Sequence, residues 1–314
     1  MSCDVLRSFA CLFHSGEFRL TARENNNFDL VMTLLVRDEE DIIATNIEYH
    51  RAQGVDFFIA MDNLSTDGTR EILESYEKEG ILHYILQEQD DYSQGEWVTS
   101  MARMASAKYG AKWVINNDAD EFWWPLEGHS LRDCLLNVPK KHNVVKGQRY
   151  NFVPVKGEQK PFYERMIYRE IMSLNFKGKR LPPKICHRGE DNVVVTQGNH
   201  KVSGFKTAID NKRRLEILHF PFRTLRQYEN KIIKGGGAYH RNKELRQGTG
   251  QGWRTLYDSY MREGRMPKYI TCQVQSSVQI DSAMRQGSIV KDRRLRNYLA
   301  QIGCLKRKCR RSTN

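Results

Sequence analysis

An α/β fold, a mostly parallel sheet flanked by helices with a less regular C-terminal extension, is what this sequence predicts, and three observations predict it. Strand-like and helix-like segments alternate four times between residues 28 and 117, the pattern of a parallel sheet with helices packed on it. The strand-like segments are continuous apolar runs, as in strands covered on both faces. Short polar clusters follow three of those runs, at the sheet edge where such folds bind ligands.

In chain order, FDLVMTLLV (28–36) reads as a first strand. DEEDIIATNIEYHRAQG (38–54) reads as a helix, with acids in its first turn, Ile43 and Ile47 at helical spacing and Gly54 as a stop. VDFFIAMD (55–62) is a second strand and STDGTREILESYEKEG (65–80) a second helix, with Asp67 and Thr69 read as capping residues. ILHYILQ (81–87), the Ala- and Met-rich helix GEWVTSMARMASAKYG (95–110) and the strand KWVINN (112–117) complete the series. Beyond it, residues 126–185 mix short apolar runs with Pro139, Pro154, Pro161, Pro182 and Pro183. NVVVTQGNHKVSGFKTAI (192–209) and RLEILHF (214–220) read as strands, and TLRQYENKIIKGGGAYHRNKEL (224–245) as a helix broken at Gly235–Gly237. No internal repeat is present. The expected division is an N-terminal segment 1–27, a main domain 28–245 with halves 28–125 and 126–245, and a basic helical extension 246–314.

Composition narrows the function classes. Hydrophobic residues at 39%, with 10% aromatics, supply a sizeable core and exclude a disordered chain. The net charge of +12 is uneven: from Lys291 onward nine Lys/Arg and one Asp give +8, leaving +4 for the preceding 290 residues. The tail LKRKCRRSTN therefore suits an anionic surface such as lipid headgroups, or a solvated terminus. Seven scattered cysteines without a CxxC pair point to reduced thiols, hence a cytoplasmic setting, peripheral at a membrane if the tail engages one. No apolar run approaches the roughly 18 residues of a membrane helix.

The chemistry centres on WVINNDADEFWWP (113–125). Three acids, Asp118, Asp120 and Glu121, stand together at the end of an apolar strand, where like charges repel. Two residues apart on an ideal strand, Asp118 and Asp120 would face one side and could share a divalent cation. Hard oxygen ligands favour Mg²⁺ or Mn²⁺, held by one or two carboxylates together with substrate phosphates. The competing reading is an ordinary acidic turn. Arg37–Asp38 and Asp62–Asn63 follow the two neighbouring strands, so the topology brings three polar clusters to one edge.

LLVRDEEDIIATNIEYHRAQGVDFFIAMDNLSTDGTREIL, followed by WVINNDADEFWWP, resembles the family-2-like glycosyltransferases of GT-A fold, in the branch with DN.S.DGT and D.DEF motifs. The resemblance covers about residues 31–125, a third of the chain, with a weaker echo at LEILHFPFRTLRQYENKI. It implies transfer of a sugar from a nucleotide-diphospho-sugar to a glycan, lipid or protein acceptor, with 28–125 as the nucleotide half and 126–245 as the acceptor half. Arg37, Asp38 and Glu39 match the loop lining the nucleotide pocket, and Asp62, with Asn63 beside it, matches the acid that contacts the base or ribose. Asp118 and Asp120 match the metal pair that bridges to the donor diphosphate, and Mn²⁺ or Mg²⁺ is the implied cofactor.

Cleaving a sugar–diphosphate bond builds negative charge on the leaving group, and Arg103 and Lys231 are candidate cations to meet it. His219, after LEIL, could complete the metal shell, although a lone His is more often structural. Trp123 and Trp124 could stack on a sugar or cover the sheet edge. An inverting transferase needs a base for the acceptor hydroxyl; Glu190 and Asp191 in HRGEDN are the first candidates and His200 the next, with a retaining route left open. A nucleotidyltransferase would need a glycine-rich loop after the first strand, which LLVRDEED lacks. A nucleic-acid-binding protein would interleave basic and aromatic residues across a sheet, whereas here the predicted cleft is acidic, so nucleic acid is not the expected partner.

Overall fold

The computed structural model describes residues 27–175, 178–245 and 248–303; the basic tail from 305 onward lies outside them. Strands β1 (Leu30–Val36), β2 (Phe57–Asp62), β3 (Leu82–Leu86) and β4 (Trp113–Asp118) alternate with helices α1 (Ile43–Ala52), α2 (Thr69–Lys78) and α3 (Gln94–Ala107). Next come β5 (Glu121–Pro125), α4 (Leu131–Leu136), β6 (Val144–Asn151), α5 (Phe162–Arg165), β7 (Tyr168–Glu170), β8 (Lys184–Arg188), β9 (Val194–Val195), β10 (Val202–Ser203) and β11 (Ile209–His219). Helix α6 (Leu225–Lys231), a π-helical segment Ile232–Gly236, α7 (Gly237–Arg241), α8 (Gln251–Glu263), α9 (Lys268–Thr271), α10 (Ser277–Arg285), β12 (Ile289–Lys291) and α11 (Arg294–Gln301) follow.

The fold is the expected α/β class. One eight-stranded sheet runs in the order β3-β2-β1-β4-β8-β6-β11-β5. Its first four strands are parallel. Strand β8 is antiparallel to both β4 and β6, and β11 is parallel to β6 and antiparallel to β5. Parallel pairing thus prevails through β4, and the sheet is mixed beyond it.

Burial on both faces explains the apolar strands. In β1, Leu30, Met32, Leu34 and Val36 pack with Ile43 and Ile47 of α1 and Ile72 and Leu73 of α2, whereas Val31 packs with Trp97, Val98 and Met101 of α3. Leu295 and Leu299 of α11 join the first of these clusters, so the last described helix shares the main core.

Three local expectations are corrected. The first helix begins at Ile43 rather than 38, because Asp38 adopts φ 53 and its carboxylate accepts from the Thr66 backbone N–H, so the acids form a loop instead of a first turn. Residues 192–209 are not one strand: the two-residue strands β9 and β10 flank a short turn of helix at Gln197–Asn199. The helix at 224–245 is not broken at its glycines but passes through the π segment into α7.

Candidate active site

The carboxyl ends of β1, β2 and β4 open into a cavity of about 320 Å³, within the size range of small-molecule sites. Arg37, Asp38 and Glu39 line it from the loop after β1, and Asn63 from the end of β2. Asp118 ends β4 and Asp120 lies in the turn before β5, so the two acids do not share one strand face; both nevertheless reach the cavity. His219, last residue of β11, stands beside them, and Asn230, Lys231, Lys234 and Gly235 face them from the helix above. The extra residue per turn of a π segment is common at functional sites, and here that segment carries Lys234 and Gly235.

Each acid of the pair has a resident counter-charge, which relieves the repulsion among them. Asp118 pairs with Lys184 of β8 and accepts from Asn199 Nδ2 at 3.2 Å. Asp120 accepts from Lys231 Nζ at 2.6 Å, with His219 Nε2 at 3.5 Å. Burial alone would raise the Asp120 carboxyl, but Lys231, His219 and Arg223 hold it well below its ordinary range. Burial likewise opposes charge on Lys231, yet the Asp120 and Glu39 carboxylates outweigh it and keep the amine charged. The third acid, Glu121, is fully buried behind the cavity; burial pushes its carboxyl up to about 7 against the pull of Lys184.

Among the described residues no three His, Cys, Asp or Glu side chains form a ready-made metal cluster. The donor set nonetheless fits a hard divalent ion completed by substrate phosphates. The His219 Nδ1–H donates to Asn151 Oδ1 at 2.7 Å, which leaves the Nε2 lone pair aimed at the Asp120 carboxylate. Burial lowers the His219 pKa against the opposing pull of the Asp120 carboxylate. The same Nε2, 3.5 Å from the Asp120 carboxylate, can carry a proton bonded to it or give its lone pair to a metal ion.

The loops bordering the cavity are braced. Glu39 and Asp41 hold the fully buried Arg223 guanidinium, Asp38 accepts from Asn230 Nδ2 at 2.9 Å and from Lys234, and Arg37 Nη1 donates to Asp90 at 2.6 Å. Asn63 donates to the Gln87 and Gln89 carbonyls, while its own Oδ1 is buried without a partner. His200, the third base candidate, also lines the cavity; its Nδ1–H donates to the Pro183 carbonyl at 3.0 Å, leaving Nε2 unprotonated. Burial, reinforced by the charges of Lys184 and Arg149, pushes its pKa down to about 4.

Four candidates are not brought to the cavity. Asp62, the last residue of β2, is fully buried and accepts from the Ser65 N–H at 3.0 Å and the Tyr84 hydroxyl at 3.3 Å. Arg103 donates to the Val193 carbonyl at 2.8 Å. Asp191 accepts from the Ser106 hydroxyl at 2.7 Å, and the Glu190 carbonyl accepts from the Val193 N–H. Asp67 caps α2 through the Thr69 N–H. Trp123 is buried, donating to Asn117 Oδ1 at 2.9 Å, and Trp124 packs on Tyr298 and Arg294, so both cover the sheet.

Sequence reasoning missed Arg149, Lys184, Lys234 and Tyr239, which also line the cavity. Only Lys234, one helical turn from Lys231, carried a usable signal; Lys184 opens the five-residue β8, and Arg149 sits in the polar second half of β6.

Among the described residues no helix is long and apolar enough to cross a membrane. No curated protein matches this sequence. The solved structure of S. aureus TarS 1–349 with UDP aligns over 74% of this chain and 71% of that one, at TM-score 0.41 and 12% identity. Its complex with UDP-GlcNAc aligns over 73% and 71%, at TM-score 0.41 and 11% identity. Glucosyl-3-phosphoglycerate synthase from Mycobacterium tuberculosis, with Mn²⁺, UDP and phosphoglyceric acid, aligns over 39% and 43%, at TM-score 0.28 and 19% identity. The sequence profile of glycosyltransferase family 92 matches residues 31–260, nearly three quarters of the 314 residues. That match takes in β1 through most of α8 and every cavity residue described above, and it replaces the family-2-like resemblance with a defined family: the chain is a glycosyltransferase and belongs to glycosyltransferase family 92.

Proposed function

We propose that this glycosyltransferase takes its sugar from a nucleoside diphosphate donor, bound with Mn²⁺ or Mg²⁺, and passes it with inversion to a hydroxyl of a glycan, lipid-linked or protein acceptor. The observation that carries the reading is the convergence of Asp118, Asp120 and the His219 Nε2 lone pair with Lys231 and Lys234 at the strand ends. Asp118, Asp120 and His219 would hold the divalent ion, which when bound would neutralise charge gained by the departing nucleoside diphosphate. The unpartnered Asn63 Oδ1 is suited to accept from a base N–H, the Lys231 and Lys234 ammonium groups to meet diphosphate oxygens, and Arg37, Asp38 and Glu39 to border the nucleotide. His200 is the base: its Nδ1–H is fixed on the Pro183 carbonyl, which leaves the Nε2 lone pair to accept the hydroxyl proton.

A thermal-shift screen of UDP-, GDP-, CMP- and dTDP-sugars, each with Mn²⁺ and with EDTA, tests this. One nucleotide class is expected to stabilise the protein, by about 2.7 kcal/mol at a hundred times Kd, with the effect lost in EDTA. No shift with any nucleotide would overturn the reading. Asp120→Asn should keep the parent circular dichroism, lose the metal-dependent shift and lower transfer by on the order of a hundredfold or more; parent-like transfer would sink the assignment of Asp120.

A further inference from the structure

One wall of the cavity is left without a task by the donor reading. The sheet order β2-β1-β4-β8-β6, at about 4.8 Å per strand, sets Lys184 of β8 one strand and Arg149 of β6 two strands past Asp118. Both therefore lie on the side away from Arg37 and Asn63, and both line the cavity. Lys184 is 1% exposed. Arg149 is anchored by its Nε to the Pro182 carbonyl at 3.1 Å. Behind them the buried Glu121 carboxylate stands 3.5 Å from Lys184 Nζ and 3.6 Å from Arg149 Nη1, and neither of its oxygens accepts a hydrogen bond. Contacts of that length steady the two cations without using up their donors.

Buried cations are costly unless an anion meets them. In the structure Asp118 meets Lys184, but the donor reading, on which this step rests, turns Asp118 toward the donor and leaves two cations with Glu121 as their one shared anion. We infer that Arg149 and Lys184 form a subsite for an anionic group, a carboxylate or phosphate, carried by the transferred sugar or by the acceptor. The planar guanidinium suits the paired oxygens of either group, and the lysine supplies a point charge beside it.

Calorimetric titrations of the full chain and of Arg149→Gln, with folding checked by circular dichroism, test the inference in three arms. UDP and GDP with Mn²⁺ should bind parent and variant equally; a tenfold or greater loss in the variant would assign Arg149 to the diphosphate and overturn the subsite. In the second arm, UDP-glucuronate is compared with UDP-glucose. In the third, glucuronate and glucose 6-phosphate are compared with glucose, with and without nucleotide. A preference for the acidic member of about ten- to a hundredfold, lost in Arg149→Gln and partly kept in Arg149→Lys, supports the subsite. Its appearance in the second arm places the group on the sugar, and in the third on the acceptor. No preference in either arm overturns the subsite while nucleotide binding still upholds the donor reading. Absence of nucleotide binding sinks the donor reading instead, and the nucleotide-free third arm then decides the subsite by itself.

Discussion

Gly235 and Gly236 are adjacent in the π segment, yet a methyl group added to each should act in opposite directions. Gly236 has φ −62 and ψ −42, ordinary right-handed helix values, so its backbone does not require glycine. Space does: a Cβ there would stand 2.6 Å from Tyr257 Cβ and 2.9 Å from the Trp253 carbonyl oxygen, both on α8. The Trp253 carbonyl is backbone and cannot rotate aside, so α8 must move. At Gly235 a Cβ meets nothing within 4 Å, because that residue faces the cavity.

Alanine in place of glycine inside a helix gains about 1 kcal/mol wherever it fits. Overpacking costs about 1–3 kcal/mol. Since both variants share the propensity gain, the difference between them isolates the steric term: Gly236→Ala should be less stable than Gly235→Ala by about 1–3 kcal/mol. Urea unfolding followed by circular dichroism measures this directly. Equal midpoints, or a more stable Gly236→Ala, would refute the claim that Gly236 is needed to let α8 approach the helix that carries Lys231 and Lys234. The same pair separates stability from function, for the Gly235 methyl projects into the cavity and should weaken nucleotide binding in a protein at least as stable as the parent.

Two further predictions concern buried charge. His187 donates from Nδ1 to the Arg188 carbonyl at 2.8 Å and accepts at Nε2 from Asn116 Nδ2 at 3.1 Å, and burial pushes its pKa down to about 4. The unfolded chain takes up this proton near pH 6.5, so the contribution is complete above that pH and is lost as pH falls toward 4. The loss is on the order of 3 kcal/mol. Comparing urea midpoints at pH 7 and pH 4.5 should show a smaller acid loss in His187→Gln than in the parent, and equal losses would contradict it. Arg223→Met leaves the Glu39 carboxylate buried without its guanidinium and should cost about 3–5 kcal/mol; Arg223→Met with Glu39→Gln should recover part of this, and strictly additive unfolding costs would show that the two groups are not coupled.

What was legible in the sequence follows from which interactions are local. Strands β1, β2 and β4 are covered on both faces, so residues of both parities are apolar and the runs stand out. Acids directly after such runs are conspicuous, and so Asp38, Asp118 and Asp120 could be read. The loop at Asp38 could not, because its bonds to Thr66, Asn230 and Lys234 join distant parts of the chain, and acids before an apolar run look like a helix start. Glu190 and Asp191 stand out in the sequence as acids that follow the metal motif, and facing the ligand edge would require them to lie past the carboxyl end of a strand. That requirement is met only after strands running with β4. Strand β8 runs against it, pairing Arg188 with Trp113 at the amino end of β4, so the cavity receives Lys184 from its start. At about 3.3 Å per residue, β8 from Lys184 to Arg188 carries the chain about 13 Å toward the opposite edge, and Glu190 and Asp191 follow beyond its end. One reversal of strand direction therefore exchanged two expected acids for a lysine, and left His200, anchored on the neighbouring Pro183, as the base candidate that the cavity receives.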